Sequence, residues 1–409
     1  MAWWNLFETS QETRAVVGTQ SSQEVVEFFQ MLGGNVSASD VVVNSETALQ
    51  VPAFSGGVNF LSGTMAGLPL NVFRKKGDGR EKVTGPLATL LHDAPNEEMS
   101  LFDWRKMLWD SYYTTGRGLC YIERVGNRII NIWPLETGKT TVKRVDGRKF
   151  YEYRESGTDA AGVKTYQANE IIDIPFMLKP DGLATRSPIH MGKDALGLAI
   201  AVTQYGSRYL ANGGVPPFAI TGNFQTSQAL KRASDDLQSA VQKAAKENRQ
   251  ALTMPAGLEI KPIGGNPEQN QMIETQRFCI EQIARLLSLP PVFLQDLTHG
   301  TFSNTEQQDL HLTKHTIKKL AEQFEQELNL KLFGRSNNRQ YVELNMDGLL
   351  RGDFITRMNG NSQAIQTGQL APNEARKREN LPPLDGGDQL FIQGATVPLA
   401  GQGEVVNEV

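Results

Sequence analysis

Between Pro52 and Leu68, apolar residues recur at helical spacing: Phe54, Val58, Leu61, Met65 and Leu68. That period predicts an amphipathic helix running into a Pro-stopped strand over residues 70–74. Further helices are predicted over 87–91 and 102–113. Segments 116–124, 128–134, 139–145 and 150–154 alternate in polarity between turn signals and predict one small antiparallel sheet. The clearest turn is Val145-Asp146-Gly147-Arg148, because Asp-Gly accepts the positive φ of a tight hairpin.

The next helix opens at Ser187-Pro188, runs to about Leu210 and stops at Asn212-Gly213-Gly214. It is small or apolar on nearly every face, from Ala195 to Val202, and such a helix must be covered all round. It is short for a membrane span; a ring of identical subunits would cover it. A small α/β insertion follows, with strands at 218–220, 251–254 and around Ile260 and a surface helix over 226–246.

Residues 256–333 then read as a mechanical element. The strand around Ile260 leads through Gly-Gly-Asn-Pro into an amphipathic helix ending at Leu289-Pro290-Pro291. A Gly- and Thr-bearing loop follows, and a second helix opens at 304 and runs to about 333. Ser303 and Glu306 form a capping-box signature at its start. Leu310, Ile317, Leu320, Ala321, Phe324, Leu328 and Leu332 share one face of it. Beyond a strand at 341–344, helices are predicted over 354–367 and from Pro372.

The chain has 409 residues, enough for two or more folding units, and its 39% hydrophobic and 21% charged residues are ordinary for a globular protein. No apolar run approaches the roughly 18–20 residues of a bilayer span, and Met1–Leu6 lacks the segments of a signal peptide, so a cytoplasmic product is expected. A formal charge of −4 argues against tight DNA binding, which needs many Lys and Arg on phosphates. Cys120 and Cys279 lie among apolar neighbours and read as buried, reduced thiols.

Candidate chemistry is sparse. There is no Gly-x4-Gly-Lys-Ser/Thr phosphate loop, and Gly116-Arg117-Gly118 reads as a turn before a strand. His311 and His315 are four apart, but Leu312 stands where a zinc protease needs its glutamate, so a helix face is expected rather than a metal site. Asp93, Glu97, Glu98 and Asp103 surround a turn at Pro95-Asn96 and are expected to cap helices. Glu274, Arg277, Glu281 and Arg285 are spaced for pairing within their helix or across a subunit contact. Neither a cofactor nor catalysis is expected.

The ordered set of segments resembles the portal proteins of tailed double-stranded-DNA bacteriophages. The resemblance rests on Glu281-Gln282-Ile283-Ala284-Arg285, the Pro290-Pro291 pair and Ser303-Asn304-x-Glu306-Gln307-Gln308. Upstream it is carried by residues 66–74, 91–96, Ile132-Trp133-Pro134-Leu135 and Glu170–Pro175. It spans about residues 40–385 and implies an α+β portal-type fold. The implied parts are an N-terminal arm (1–40), a wing (41–188 and 304–350, the latter with a long kinked helix), and a stem of two helices (189–213 and 266–289). A clip (214–265), a tunnel loop (290–303), a helical crown (351–385) and a disordered tail (386–409) complete them.

On that likeness Gln295, Thr298, His299, Gly300 and Thr301 line a DNA channel, and the four stem charges meet neighbouring subunits. The implied assembly is a dodecameric ring at one capsid vertex of the virion, built in the host cytoplasm. Its partners are double-stranded DNA, the terminase, the major capsid protein and a head-completion adaptor. A capsid or adaptor subunit without a channel and a metal-dependent hydrolase are the rival readings. The arm, whose residues 24–32 are helix-forming, is either a mere tail or a dock for a neighbour.

Overall fold

The computed structural model describes residues 36–77, 79–155, 162–211, 218–222, 258–262, 269–294, 308–335, 339–346, 354–379 and 381–392, with isolated positions between 226 and 239 and at 349. Two compact units divide the chain, residues 1–344 and 345–409.

In the first unit a short helix, α1 (Ser45–Leu49), leads into α2 (Pro52–Gly67), which buries Phe54, Val58, Leu61 and Met65 as the period predicts. After β1 (Leu70–Lys76), β2 (Gly79–Lys82) and α3 (Pro86–His92) comes α4 (Leu101–Thr115), which packs on α2 and buries Trp104, Leu108, Trp109, Tyr112 and Tyr113. The helix starts because Ser100 Oγ accepts from the Asp103 N–H. It ends at Gly116, whose φ of +84° favours glycine. A Cβ there would also stand 2.7 Å from Ser187 Cα. Arg105 is buried inside this layer with no carboxylate partner among the described residues, its guanidinium donating to the Leu68 carbonyl at the end of α2. Burial lowers its pKa to about 10.

The predicted single sheet is instead two. In one, β3 (Arg117–Val125) lies between β4 (Arg128–Leu135) and β8 (Ile171–Pro175); in the other, β6 (Arg148–Arg154) lies between β5 (Thr140–Val145) and β7 (Val163–Gln167). A 3-10 turn at Thr137–Lys139 breaks the ladder between β4 and β5. The later strands then supply each hairpin's third member. Asp146 (φ +49°) and Gly147 (φ +77°) make the expected hairpin turn, with Val145 opposite Arg148. Gly118 lets β3 touch α4, since a Cβ would lie 2.7 Å from the Leu108 carbonyl oxygen.

The helix expected from Ser187 is interrupted: α5 (Pro188–Met191) stops at Gly192 and α6 (Lys193–Ala211) begins. The Leu286 side chain presses where a Gly192 side chain would be. Next come β9 (Phe218–Gly222) and β10 (Leu258–Pro262), paired antiparallel, then α7 (Gln269–Leu287). The strand expected at 251–254, most of the 226–246 helix, the 24–32 helix and the Ser303–Glu306 cap lie outside the described residues.

The long helix is described from 308. It passes through a π-helical turn at Thr313–Ile317 into α8 (Lys318–Phe333), which buries Leu320, Ala321, Phe324 and Leu328. Leu310 and Leu332 of the predicted face stay partly or wholly exposed. Phe324 meets Trp109 edge-on at 5.9 Å and Trp104 at 6.4 Å between ring centres, so α8 closes the aromatic layer begun by α4. The last strand of the unit, β11 (Gln340–Leu344), pairs with β1.

The second unit contains α9 (Phe354–Gln366) and α10 (Pro372–Arg378). Asn373 fixes the segment after them, donating to the Leu384 carbonyl and accepting from the Leu384 N–H. Ile392 bridges Thr367. Residues 386–392, expected as tail, therefore belong to this unit.

Candidate functional site

Helices α6 and α7 pack against each other on either side of the β9–β10 pair in sequence. Close approach comes from Gly206, where a Cβ would stand 3.0 Å from Met272 Cε. Leu196 and Ala199 of α6 and Cys279, Ile283, Ala284 and Leu287 of α7 are buried. Leu198, Ile200, Ala201 and Val202 of α6 are half-buried, while towards its end Tyr205 is 44% and Leu210 74% exposed.

The outward side of α7 carries Glu274, Arg277, Glu281 and Arg285. Glu281 and Arg285 pair at 3.1 Å; Glu274 and Arg277 form no ion pair among the described residues. Within this charged group sits Phe278, 50% exposed, and Ile273, on another face of the helix, is 48% exposed. Sequence reasoning named the charges and missed the phenylalanine, although a Phe flanked by Arg277 and the buried Cys279 breaks the helix's apolar period.

At its end α7 turns through Ser288, a non-glycine residue at φ +55°, with the Leu289 N–H donating to the Ala284 carbonyl at 2.9 Å. A 3-10 turn, Pro291–Leu294, begins the connecting loop, and Phe293 rests on Phe60 of α2 at 5.2 Å. The sequence-predicted loop residues Gln295, Thr298, His299, Gly300 and Thr301 lie outside the described residues. On the far side, Thr316 Oγ1 donates to the Ser288 carbonyl at 2.7 Å. The end of α7 is thereby tied to the π turn of the long helix, an element often associated with functional positions. His311 and His315 are exposed there with ring centres 4.5 Å apart.

A buried polar cluster fastens α8 to the two sheets. Asp173 of β8 lies at its centre, with Arg117 Nε 2.9 Å from Oδ1 and Lys149 Nζ and Tyr151 Oη each 2.5 Å from Oδ2. The Arg117 contact is an ion pair whose angle departs from a hydrogen bond. Glu327 of α8 accepts the Asp173 N–H at 2.9 Å, and Gln323 donates to the Pro175 carbonyl at 2.6 Å. Burial raises the Glu327 carboxyl above its ordinary value, against the opposing pull of Lys331. Burial, and then the Asp173 charge, push the Tyr151 hydroxyl upward. The sequence signal was available: an aspartate inside Ile171-Ile172-Asp173-Ile174 is a charge in a strand otherwise apolar on both faces.

The acidic residues near Pro95 cap less than expected. Asn96 accepts the Glu98 and Met99 N–H groups, and Ser100 caps α4 while its hydroxyl donates to Asp103 at 2.6 Å. Asp93 instead meets His92 Nδ1 at 2.8 Å. Both cysteines are free and buried, and burial pushes the Cys120 thiol up to about 12. Among the described residues no group of three or more His, Cys, Asp or Glu is placed to hold a metal ion, and no helix is long and apolar enough to cross a membrane.

Residues 52–380 match the family model for phage portal proteins. The probable portal protein of Streptomyces phage phiC31 is 29% identical over 367 residues, covering 87% of this chain and 79% of that protein. The portal protein of Enterobacteria phage HK97 is 28% identical over 390 residues, covering 90% and 89%. Among solved structures, an HK97-family phage portal protein from Corynebacterium diphtheriae superposes with a TM-score of 0.56 at 16% identity, covering 78% of this chain and 97% of that one. A chain from the neck of a native gene transfer agent particle, computed with C12 symmetry, gives 0.53 at 19% identity, covering 82% and 93%. These two show a shared fold.

Proposed function

Since the chain belongs to the phage portal protein family, whose members are structural parts of the virion, we propose that twelve copies close into a ring at one capsid vertex and conduct double-stranded DNA. Helices α6 and α7 form the stem, residues 214–265 the clip and residues 351–385 the crown. The wing comprises 41–188 and 304–350. The terminase docks on the ring during packaging, and a head-completion adaptor replaces it afterwards. The major capsid protein surrounds the wing.

The observation that carries this reading is the outward side of α7. A half-exposed Phe278 set among Glu274, Arg277, Glu281 and Arg285 has the composition of an interface anchor with a polar rim. A contact from that side to a different face of the next copy is heterologous, and heterologous contacts close into rings. Gln295, Thr298, His299, Gly300 and Thr301 then line the bore. Residues 290–303 contain neither Lys nor Arg, which suits weak, replaceable contacts with passing DNA.

Native mass measurement and negative-stain imaging of the tag-free chain test the proposal. Rings of twelve times the 45.2 kDa chain with a central hole are expected, and Phe278→Glu should shift the population to monomers. A wild-type chain that remains monomeric or dimeric across salt conditions refutes it.

A further inference from the structure

An open groove of ≈ 370 Å³ lies between α2 and α4, lined also by the last residue of α1. Its walls are Leu49, Val58, Asn59, Met107, Ser111 and Thr114, with the Lys106–Asp110 pair at its rim. Leu49 and Met107 are 41% and 47% exposed, and Phe102, one turn before Lys106, is exposed beside them. The family match begins at residue 52, so Leu49 and everything before it fall outside that likeness.

The chain itself supplies an occupant. Residues 1–35 lie outside the described part, and within them Val25, Phe28, Phe29 and Leu32 stand at i, i+3, i+4 and i+7. That is the stripe of an amphipathic helix with one face to bury. Glu24, Glu27 and Gln30 fall off the stripe, and Gly33-Gly34 follows it as a stop and hinge. The point where this segment joins the described chain is fixed. Val36 bridges Val42, and the Ala38 N–H donates to Asp194 Oδ1 at 3.0 Å. From Val36 across to Val42 and along α1 to Leu49 is at most about 20 Å. Residues 33–35 extended and a nine-residue helix reach about 26 Å from Val36. The segment can therefore lie along the groove of its own chain.

We propose that residues 24–32 dock as a helix in this groove in cis, covering Leu49 and Met107 with Phe28 and Phe29. The docked helix completes the layer formed by α2 and α4 whether or not the chain is in a ring, so its test stands apart from that of ring closure.

Full-length Phe29→Cys/Met107→Cys is oxidised and peptide-mapped; the native thiols are buried and do not compete. A disulfide within one chain is expected, absent from Phe29→Cys paired with a cysteine in place of Val145, which is exposed on the β5–β6 hairpin. No excess over that control pair, or a link formed only between chains, overturns the proposal. In parallel, Met107→Asp, at a half-exposed position that the fold tolerates, should raise the rate of chymotryptic cleavage after Phe28 or Phe29 by about tenfold, the loss expected for a charge facing a docked aromatic. An unchanged rate with unchanged tryptophan emission also overturns it.

Discussion

Replacing Asp173 with alanine should be among the most damaging single changes in the first unit. Its side chain is 5% exposed and its carboxylate faces the Arg117 guanidinium, itself 6% exposed, as well as Lys149 and the Tyr151 hydroxyl. Alanine leaves the buried Arg117 with only the Leu183 carbonyl and the weaker pull of Asp181, Lys149 without its carboxylate, and a buried hydroxyl without its acceptor. Breaking a buried pair from one side costs about 3–5 kcal/mol. Arg117→Met should cost less, about 2 kcal/mol, because Asp173 keeps Lys149 and Tyr151 and the aliphatic part of the side chain is preserved. In the double variant Arg117→Met/Asp173→Leu the poorly compensated charge at Arg117 disappears, so the combined loss should fall well below the sum of the single losses. Urea unfolding followed by the emission of buried Trp104 and Trp109 measures all three. Equal losses for the two single changes, or additive losses in the double, would refute the view that Asp173 is the hub and that desolvated charge sets the penalty.

The remaining expectations concern titration, a turn and the Thr316–Ser288 clasp. Glu327 binds its proton more tightly folded than unfolded, because burial raises its carboxyl above the ordinary 4.5. Its stabilising contribution is therefore complete below that value and is lost as pH rises through the raised one. Glu327→Gln should flatten stability against pH in that window, which urea midpoints taken across mildly acidic pH would reveal. Gly116→Ala forces a side chain onto φ +84° and against Ser187 Cα, and should lower stability by at least about 1 kcal/mol in the same unfolding assay. Thr316→Val removes the hydroxyl that ties the π turn to Ser288 at the end of α7, at a local loss of about 1 kcal/mol. Amide exchange at 289–294 should then speed up while that of β3 stays unchanged.

Much of the architecture follows from sequence alone because it is local. Helical periods fix α2, α4 and α8, an Asp-Gly pair fixes the β5–β6 turn, and the apolar surroundings of Cys120 and Cys279 mark them as buried thiols. Ordered short motifs, from Ala66–Arg74 to the Pro290-Pro291 pair, carry the family resemblance in the sequence itself. What depends on distant segments was not legible. One expected sheet became two because β7 and β8 choose different hairpins to join. The expected helix from Ser187 breaks at Gly192, where the side chain of Leu286, far away in sequence, fills the space a Cβ would need. Asp173 could be seen as a charge in an apolar strand, but its partners Arg117, Lys149 and Tyr151 come from two other strands, and Glu327 arrives on α8. The Thr316–Ser288 clasp likewise joins residues whose sequence neighbours say nothing of each other. Periodicity and turn chemistry report each residue's own backbone preference and the side it buries. Which buried side meets which is decided only when the chain packs, because burial is non-directional until shape and hydrogen-bond partners select one arrangement.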